Sequence, residues 1–499
     1  MKPTGKSTGE KVRSALLWNG GFSILRDVVQ FGAMLILVRL LTKTDYGAYS
    51  MVMSAFAFLN AFSFENFMAH VIQVRDDREV HWQDHFTAAL ANQFAIFLAT
   101  NALAFGMSYT QDYASVAMPT HVVSFVAVLA GLGGVRVKML ERAHNWPRLR
   151  ALHLAGIVGS TLLTITLALT GAGVYALLLG PFLKYVPFVI DLFLIERWRP
   201  TFEWQAARFA PAFWFGLNRV TAQAIQRARK PLESGVMTHV VGLAALGVFG
   251  RAVGLAQLAC QQLAFTAIQA IYPVLTRIAP GSSEYVRASH LVLRGAAWFL
   301  IPVGTAAGVL ADPLVRFLYG DRWLEVIPLL PWAMGVGVVA GLAQVTYNLT
   351  LGNLQHRVCL VYDLWQLLGT ALGLGVLFYT GSPAAYLAAQ ATAEGLGLAG
   401  LFWQLRQANA IQGSGIAAAI LHALVAAGLS LAIGIATLRL LGLERNSWGG
   451  AFVFGITFAA AYVGVLRLLF AEPLGELLGQ LPAGRRLGRW LRLAPQPAR

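Results

Sequence analysis

Long apolar stretches, separated by short polar connections, fill the chain from Ser14 to Phe470. A helix needs about 20 apolar residues to cross a bilayer, and about fourteen stretches approach that length. They leave no room for a soluble domain of any size, so the pattern predicts an all-α integral membrane protein. The predicted spans are residues 15–38, 47–72, 87–108, 118–137, 151–170, 173–195, 211–235, 243–275, 290–318, 327–351, 358–379, 384–405, 415–438 and 448–470.

Composition and charge support this interpretation. Of the 499 residues, 57% are hydrophobic and 12% are charged, whereas soluble chains carry about 25% charged residues. Lys and Arg exceed Asp and Glu by 38 to 23, and most of the cations lie in connections predicted to share one side of the membrane. Because such loops are usually cytoplasmic, we expect a multi-pass membrane protein with both termini in the cytoplasm.

The connections on the outer side are short, the longest being about ten residues near Tyr109 to Met118. Integral-membrane glycosyltransferases and polymerases usually need larger outer loops for their active sites, so we expect a protein that is not an enzyme, with no catalytic residues. Cys260 and Cys359 lie in apolar surroundings without metal-ligand spacing. We therefore predict no disulfide, no metal site and no functional role for either thiol.

An internal repeat suggests how the spans are grouped. Residues 40–49 resemble residues 240–249, at an offset of 200 positions, and each copy follows the first span of a six-span block. Parallel repeats of this kind build transporters in which two lobes face each other across a cavity. The predicted domains are an N-terminal six-helix lobe at 1–200, a C-terminal six-helix lobe at 201–410, two extra spans at 411–470 and an amphipathic cytoplasmic tail at 471–499.

Charges inside the spans are the candidate functional residues, because a central Arg costs about 3 kcal/mol in hydrocarbon unless water or a partner receives it. Polar side chains recur at helical spacing in the first and seventh spans and form a stripe on each. The primary candidates for a cationic cavity that binds substrate are Arg26, Arg219, Arg227 and Lys230. Secondary cavity candidates are Asn19, Gln30, Lys184, Gln223, Arg229 and Arg251, and candidates for ion coupling or an ion pair are Asp27, Glu65 and Glu233.

Simpler roles remain open for several of these side chains. Arg26 can balance its neighbour Asp27, and Arg229 can pair with Glu233 one helical turn away. Long cationic side chains near the ends of spans can extend to the membrane interface. A lone charge such as Glu65 can pair with a neighbouring helix.

Four motifs, in order along residues 15–410, resemble those of Wzx-type polysaccharide flippases. Arg39-Leu40-Leu41-Thr42-Lys43-Thr44-Asp45-Tyr46-Gly47 is similar to the "R-L-L-s-p-e-d-y-G" signature after the first span. Residues 245–252 resemble "a-L-G-l-Y-s-r-A", residues 271–275 resemble "fP-l-s", and residues 318–323 resemble "l-f-G-e-x-W". The seventh span departs from the family pattern, since Glu233 follows Pro231 where the family often has Asn-x-Asp, so a borrowed role for Glu233 is in doubt.

The resemblance implies the multidrug/oligosaccharidyl-lipid/polysaccharide exporter superfamily and alternating access. It implies a flippase of the bacterial inner (cytoplasmic) membrane for undecaprenyl-pyrophosphate-linked oligosaccharide repeat units in exopolysaccharide, capsule or O-antigen synthesis. A lipid II flippase and a cation-coupled multidrug exporter of the same superfamily are the alternatives, and an integral-membrane glycosyltransferase or polymerase is a more distant one. We expect membrane lipids, the polysaccharide polymerase and the export machinery as partners, and no nucleic acid. No bound cofactor is expected, and coupling to a proton or sodium gradient stays open.

Overall fold

The computed structural model describes residues 8–479 apart from 77–79, 203, 263, 265–267, 269–274, 276, 409 and 412. All regular structure in this part of the chain is helical, without strands, which confirms the predicted fold class. The chain divides into two compact units, Met1–Gly247 and Val248–Arg499. The predicted lobe boundary at residue 200 and the other domain boundaries stay predictions.

The first unit begins with nine helices, the last of which continues into the second unit. They are α1 (Thr8–Leu40), α2 (Lys43–Leu59), α3 (Glu65–Gln73), α4 (Trp82–Ser108), α5 (Ala114–Arg142), α6 (Trp146–Leu169), α7 (Val174–Leu179), α8 (Val186–Ile190) and α9 (Ala206–Ala256). The later helices are α10 (Ser283–Val309), α11 (Ala311–Leu318), α12 (Leu330–Gly352), α13 (His356–Thr380), α14 (Pro383–Gln407), α15 (Gly413–Leu440), α16 (Trp448–Leu469) and α17 (Ala471–Gly479).

Ten helices in the described part of the chain are long and apolar enough to cross a membrane, or eleven when one bent pair counts as a span. The protein is therefore a multi-pass membrane protein, but the predicted count of fourteen is not confirmed. One reason is α9, in which two helical segments meet at a kink at Gly242, between the predicted spans 211–235 and 243–275, and residues 223–262 count together as one span. Its backbone leaves the helical region only at Gly242, where φ is 85° and ψ is 166°, a conformation that glycine adopts readily.

The second predicted span, 47–72, is broken rather than continuous. The helix α2 ends at Leu59, a short 3-10 turn covers Asn60–Phe62, and α3 begins at Glu65. The two halves are bent by 46°. The sixth predicted span is also irregular, because a 3-10 turn at Gly180–Lys184 separates α7 from α8.

Aromatic packing fixes the break in the second span within the first unit. The rings of Phe64 and Phe209 are stacked with centroids 5.4 Å apart, which joins the start of α3 to α9. Phe67 stacks on Phe213 of α9 at 5.7 Å. Phe64, Phe67 and Phe209 are buried, so the bend is part of the core rather than a loose connection.

In the second unit, the long helix α10 packs against the two helices that follow the predicted twelve-span core. The indole nitrogen of Trp298 donates to the Ala419 carbonyl of α15 at 3.1 Å. The Tyr462 hydroxyl of α16 donates to the carbonyl of Trp298 at 2.9 Å. The predicted tail begins as α17, and Glu476 pairs with Arg294 of α10 at 2.7 Å. Residues 480–499 of the predicted tail lie outside the described residues.

The repeated motif forms a reciprocal contact. Thr42 caps α2 through a capping box with Asp45, in which the Asp45 amide donates to Thr42 Oγ1 at 3.2 Å. A Cβ added to Gly47 would overlap the Leu243 carbonyl oxygen, and a Cβ added to Gly247 would overlap the Lys43 carbonyl oxygen. The two contacts are related by the offset of 200 positions, as expected when two copies of a repeat meet across a local two-fold axis.

Both repeat glycines should therefore resist enlargement. We expect Gly47→Ala and Gly247→Ala to destabilise the protein by about 1–3 kcal/mol, because the added methyl group forces backbone segments apart. The matched control is Gly254→Ala, since a Cβ at this α9 position meets nothing within 4 Å. Melting temperatures in detergent should fall for the first two variants and stay unchanged or rise for the control; equal melting temperatures for all three variants would contradict the close contact.

Candidate functional site

The predicted polar stripe on α1 begins with a local ion pair. Arg26 Nη2 lies 2.8 Å from Asp27 Oδ1, and the two side chains are 33% and 54% exposed. The structure thus contains the local ion pair with Asp27 that the sequence analysis gave as the alternative to a cavity role for Arg26. Gln30 is exposed, and the side chain of Asn19 lies outside the described residues. The cavity role of Arg26 stays a prediction.

On α9, the predicted stripe contacts the broken second span. Gln223 Nε2 donates to Asn66 Oδ1 at 2.7 Å, and Asn66 itself is buried. Arg227 Nη1 donates to the carbonyl oxygen of Ala57 at 3.2 Å. The side chain of Arg219 lies outside the part of the chain whose side chains the structure describes.

The remaining polar residues of this stretch are held by partners on α9 itself or elsewhere. Lys230 Nζ pairs with Glu233 Oε1 at 2.7 Å, and their side chains are 50% and 13% exposed. Arg229 is half-buried and makes further contacts. Arg251 is also half-buried, and its carbonyl oxygen accepts a hydrogen bond from Tyr319 at 3.2 Å.

The break in the second span is the feature that the sequence analysis missed. It frees backbone carbonyls that a continuous helix would pair. The carbonyls of Ala61 and Phe62 at the break, and that of Ala57 in the last turn of α2, each accept a hydrogen bond from a polar side chain. The three donors are Arg227 at 3.2 Å, Asn66 at 2.8 Å and Asn92 at 3.2 Å. The run of Asn60, Ser63, Glu65 and Asn66 inside an apolar stretch was the available signal, because such side chains compete with helical hydrogen bonding.

Two lone charges that the sequence left apart converge on one tyrosine. The Tyr185 hydroxyl donates to Glu65 Oε1 at 3.3 Å, and Lys184 Nζ lies 5.2 Å from the centroid of the Tyr185 ring. Glu65 and Lys184 are both exposed. The breaks in the second and sixth spans therefore lie beside each other in the first unit.

A buried charge network joins the ends of α5 and α6 to the segment after α8. Asp191 is 2% exposed and accepts from Arg136 at 2.5 Å and from Arg148 at 2.7 Å. Glu196 Oε1 accepts from the same two guanidinium groups, at 2.8 Å from Arg136 and at 2.6 Å from Arg148. In the sequence, Arg136 and Arg148 indicated only a cytoplasmic loop. In the structure two cations and two acids balance one another, so the network is a structural clamp rather than an anion site.

In the second unit, Asp363 and Glu394 are buried, although their sequence positions near span ends gave no reason to assign them a role. Glu394 accepts from Gln366 Nε2 at 2.7 Å and from the Tyr362 hydroxyl at 3.1 Å. Asp363 accepts from the Tyr347 hydroxyl at 3.1 Å. These contacts join α12, α13 and α14. In the described part of the chain, no group of three or more His, Cys, Asp or Glu side chains is placed to hold a metal ion.

The connection between α4 and α5 contacts α9 close to Gly242. His239 Nδ1 lies 2.6 Å from Asp112 Oδ2, and the Tyr113 hydroxyl donates to the Gly235 carbonyl at 3.1 Å. Burial raises the pKa of Tyr113, and the negative charge of Asp112 adds to the effect. The phenol therefore keeps its proton and remains a donor at neutral pH.

The charge network allows a stability prediction. We expect Arg136→Ala to destabilise the protein by about 3 kcal/mol, because it leaves the buried Asp191 with one cation in place of two. Lys138→Ala is the matched control, since Lys138 forms a more exposed pair with Glu141 and such pairs contribute about 0–1 kcal/mol. Thermal unfolding in detergent measures the loss of stability in both variants. A similar small change in both variants would show that the network does not hold the three helix ends.

Comparison with known proteins gives one family match and three curated relatives. A family described as "Polysaccharide biosynthesis protein" matches residues 36–328. The amylovoran biosynthesis protein AmsL of Erwinia amylovora is 27% identical over 166 residues, 32% of this chain and 41% of that protein. The succinoglycan biosynthesis transport protein ExoT of Rhizobium meliloti (strain 1021) is 22% identical over 318 residues, 62% of this chain and 64% of that protein. The matches thus span less than two thirds of these relatives.

Two solved structures share the fold. A structure titled "Lipid II flippase MurJ, inward closed conformation" aligns with a TM-score of 0.68 at 10% sequence identity, covering 92% of this chain and 99% of that one. An inward-facing multidrug resistance MATE family transporter of the MOP superfamily aligns with a TM-score of 0.57 at 15% identity, covering 77% of this chain and 95% of that one. At such low identity, these similarities establish the architecture alone.

Proposed function

Because the chain belongs to the family of polysaccharide biosynthesis proteins, we propose that it is a flippase for lipid-linked glycans. Its substrate would be an undecaprenyl-pyrophosphate-linked oligosaccharide repeat unit, moved across the bacterial inner membrane for exopolysaccharide, capsule or O-antigen synthesis. Transport of this kind needs no covalent chemistry. It needs a polar path for the glycan and cations for the pyrophosphate.

One observation carries the proposal: a guanidinium group contacts the helix end beside a break in a membrane span. Arg227 of α9 is exposed and donates to the Ala57 carbonyl at 3.2 Å, next to the break between α2 and α3. Irregular backbone at membrane depth is tolerated where it is buried in protein or lines a water-filled cavity. In transporters, discontinuous helices typically form the substrate site. The break, with Asn66, Asn92 and Gln223 around it, supports the view that α9 borders such a polar path.

Arg26, Arg219, Arg227 and Lys230 are the proposed cationic residues for the pyrophosphate. Arginine suits this role because it can donate two parallel hydrogen bonds to phosphate oxygens, whereas lysine acts as a point charge. Lys230 is the accessible member of its pair with Glu233, since its side chain is 50% exposed and that of Glu233 is 13% exposed. The proposal includes alternating access coupled to a proton or sodium gradient, both termini in the cytoplasm, and delivery of the product to the polymerase and export machinery.

The test is the fate of lipid-linked repeat units in cells that depend on this protein for export. We expect Arg219→Ala and Arg227→Ala to lower polymer export at least about tenfold, the effect of losing one charge-assisted hydrogen bond. Repeat units should accumulate on the cytoplasmic face, and Arg→Lys at either position should restore part of the export. Arg439→Ala is the control, since this exposed residue lies in the last turn of α15.

The protein level in the membrane must be equal in all strains. Full export with no accumulation in both Ala variants would refute the role of the α9 cations. Accumulation of lipid II in place of repeat units would point to the alternative substrate within the superfamily.

A further inference from the structure

We propose that the interfacial segment (residues 196–215) binds the head groups of anionic phospholipids. This segment comprises the connection that precedes α9 and the first turns of that helix. The inference is independent of the proposed transport function. It assigns a ligand to Arg197, Arg199 and Arg208, which have no role in the proposed transport site.

The interfacial segment lies at the ends of membrane-spanning helices. It joins the span Val174–Ile195 to α9, and Gln83 in the first turn of α4 holds its backbone. Gln83 Nε2 donates to the carbonyl oxygen of Arg199 at 3.0 Å, and the amide of Thr201 donates to Gln83 Oε1 at 2.9 Å. Since the ends of spans meet the polar head groups, the segment lies at the surface of the bilayer.

The first turns of α9 extend beyond the hydrocarbon for a geometric reason. About 20 helical residues are enough to cross the hydrocarbon core of a bilayer. The part of α9 between Ala206 and the kink at Gly242 is longer than this. The residues next to Ala206 are therefore placed in the head-group layer.

Exposed aromatic rings project from the interfacial segment. Phe202, Trp204 and Trp214 are 59%, 47% and 66% exposed. The Phe202 ring lies 6.1 Å from that of the buried Phe86, and the Trp204 ring lies 5.1 Å from that of the buried Phe209, measured between centroids. Buried rings thus support the exposed ones. Amphipathic rings of this kind are enriched where a protein meets lipid head groups.

Three arginines alternate with these rings along the chain. Arg197, Arg199 and Arg208 are all exposed. In the part of the chain that the structure describes, Arg197 and Arg199 form no ion pair. Their guanidinium groups are therefore available to a ligand at the bilayer surface.

The described acids around the segment already have partners. Glu196 belongs to the charge network and accepts from both of its arginines. Asp84 is buried, its Oδ1 accepts from the Gln205 amide at 3.1 Å, and its Oδ2 lies 3.7 Å from Arg208. Glu203 lies outside the described residues. The segment thus presents positive charge that these partnered acids do not neutralise.

The backbone of the connection is a preformed surface. Arg197 and Phe202 have φ values of 52° and 53°, in the left-handed region that few residues other than glycine adopt. Such conformations persist where surrounding contacts fix them, and the two hydrogen bonds of Gln83 act on the stretch between these residues. The arginines and rings are therefore presented in a fixed arrangement.

An anionic phospholipid has the chemistry that this surface accepts. Its phosphate group can accept charge-assisted hydrogen bonds from guanidinium groups, and the apolar region directly below the phosphate can contact the aromatic rings. Its net negative charge complements the arginines, whereas a zwitterionic lipid such as phosphatidylcholine has no net charge to offer. Basic residues near a membrane surface attract anionic lipids for this reason.

The experiment titrates the delipidated full-length protein in detergent with phosphatidylglycerol and, separately, with phosphatidylcholine, and follows lipid binding by native mass spectrometry. The unaltered protein should bind phosphatidylglycerol more tightly. The double variant Arg197→Gln/Arg199→Gln should weaken binding of phosphatidylglycerol at least about tenfold, the effect of losing two cations at a membrane surface. Its binding of phosphatidylcholine should not change.

Two further variants separate the charge of these side chains from other effects. Arg197→Lys/Arg199→Lys should keep most of the preference for phosphatidylglycerol, because the positive charge remains. Arg439→Gln/Arg445→Gln makes the same change in net charge at two exposed positions beside the connection between α15 and α16. This control should bind phosphatidylglycerol as the unaltered protein does.

Glycerol phosphate, added as a competitor, tests whether the ligand is a lipid. It carries the phosphate without acyl chains and should not displace phosphatidylglycerol at equal concentration. Displacement by glycerol phosphate would indicate a site for free phosphate groups and overturn the assignment. Equal affinity of the unaltered protein for both lipids, full affinity for phosphatidylglycerol in the double Gln variant, or an equal loss in the Arg439/Arg445 control would also overturn it. None of these results depends on transport, so the proposed function is tested separately.

Discussion

Every charge and every freed backbone carbonyl within the membrane spans must find its partner inside the protein or in a water-filled cavity, because the surrounding hydrocarbon offers none. This constraint explains where the irregular parts of the structure lie. The break in the second span is possible because Asn66, Asn92 and Arg227 donate to its carbonyls. The buried Asp191 is possible because two guanidinium groups surround it. Without such partners, the helices would have to run straight through the apolar layer.

The same constraint separates two kinds of cation in the first unit. Arg136 and Arg148 are matched by acids and hold helix ends together. Arg227 and Lys184 are exposed beside breaks in the second and sixth spans, where irregular backbone and polar side chains meet. A pyrophosphate that crosses a membrane needs cations of the second kind, since a fully paired arginine has no hydrogen bonds left to donate. The proposed transport function depends on this difference rather than on the net charge of the chain.

The all-helical membrane fold was predictable, because hydropathy over windows of about 20 residues is a strong signal. The repeat was also visible, and Gly47 and Gly247 meet in equivalent contacts. The breaks in the second and sixth spans were not predictable, because a single polar residue such as Asn60 or Lys184 does not indicate whether its helix continues past it. The network around Asp191 was missed for a different reason: its members lie about 50 residues apart in sequence and only the folded chain joins them. Among the site candidates, Gln223 and Arg227 contact the break, whereas the roles of Arg26 and Lys230 stay predictions.

Movement of a lipid-linked oligosaccharide across a bilayer that contains only this protein would test the central claim most directly. The purified protein would be reconstituted into vesicles with a substrate whose glycan carries a fluorescent label, and a reductant that cannot cross the membrane would then be added outside. The account predicts that the label in both leaflets is quenched in vesicles with the protein. In protein-free vesicles, only the outer-leaflet label should be quenched. Quenching limited to the outer leaflet in both samples, with the protein folded and correctly inserted, would contradict the assignment as a flippase.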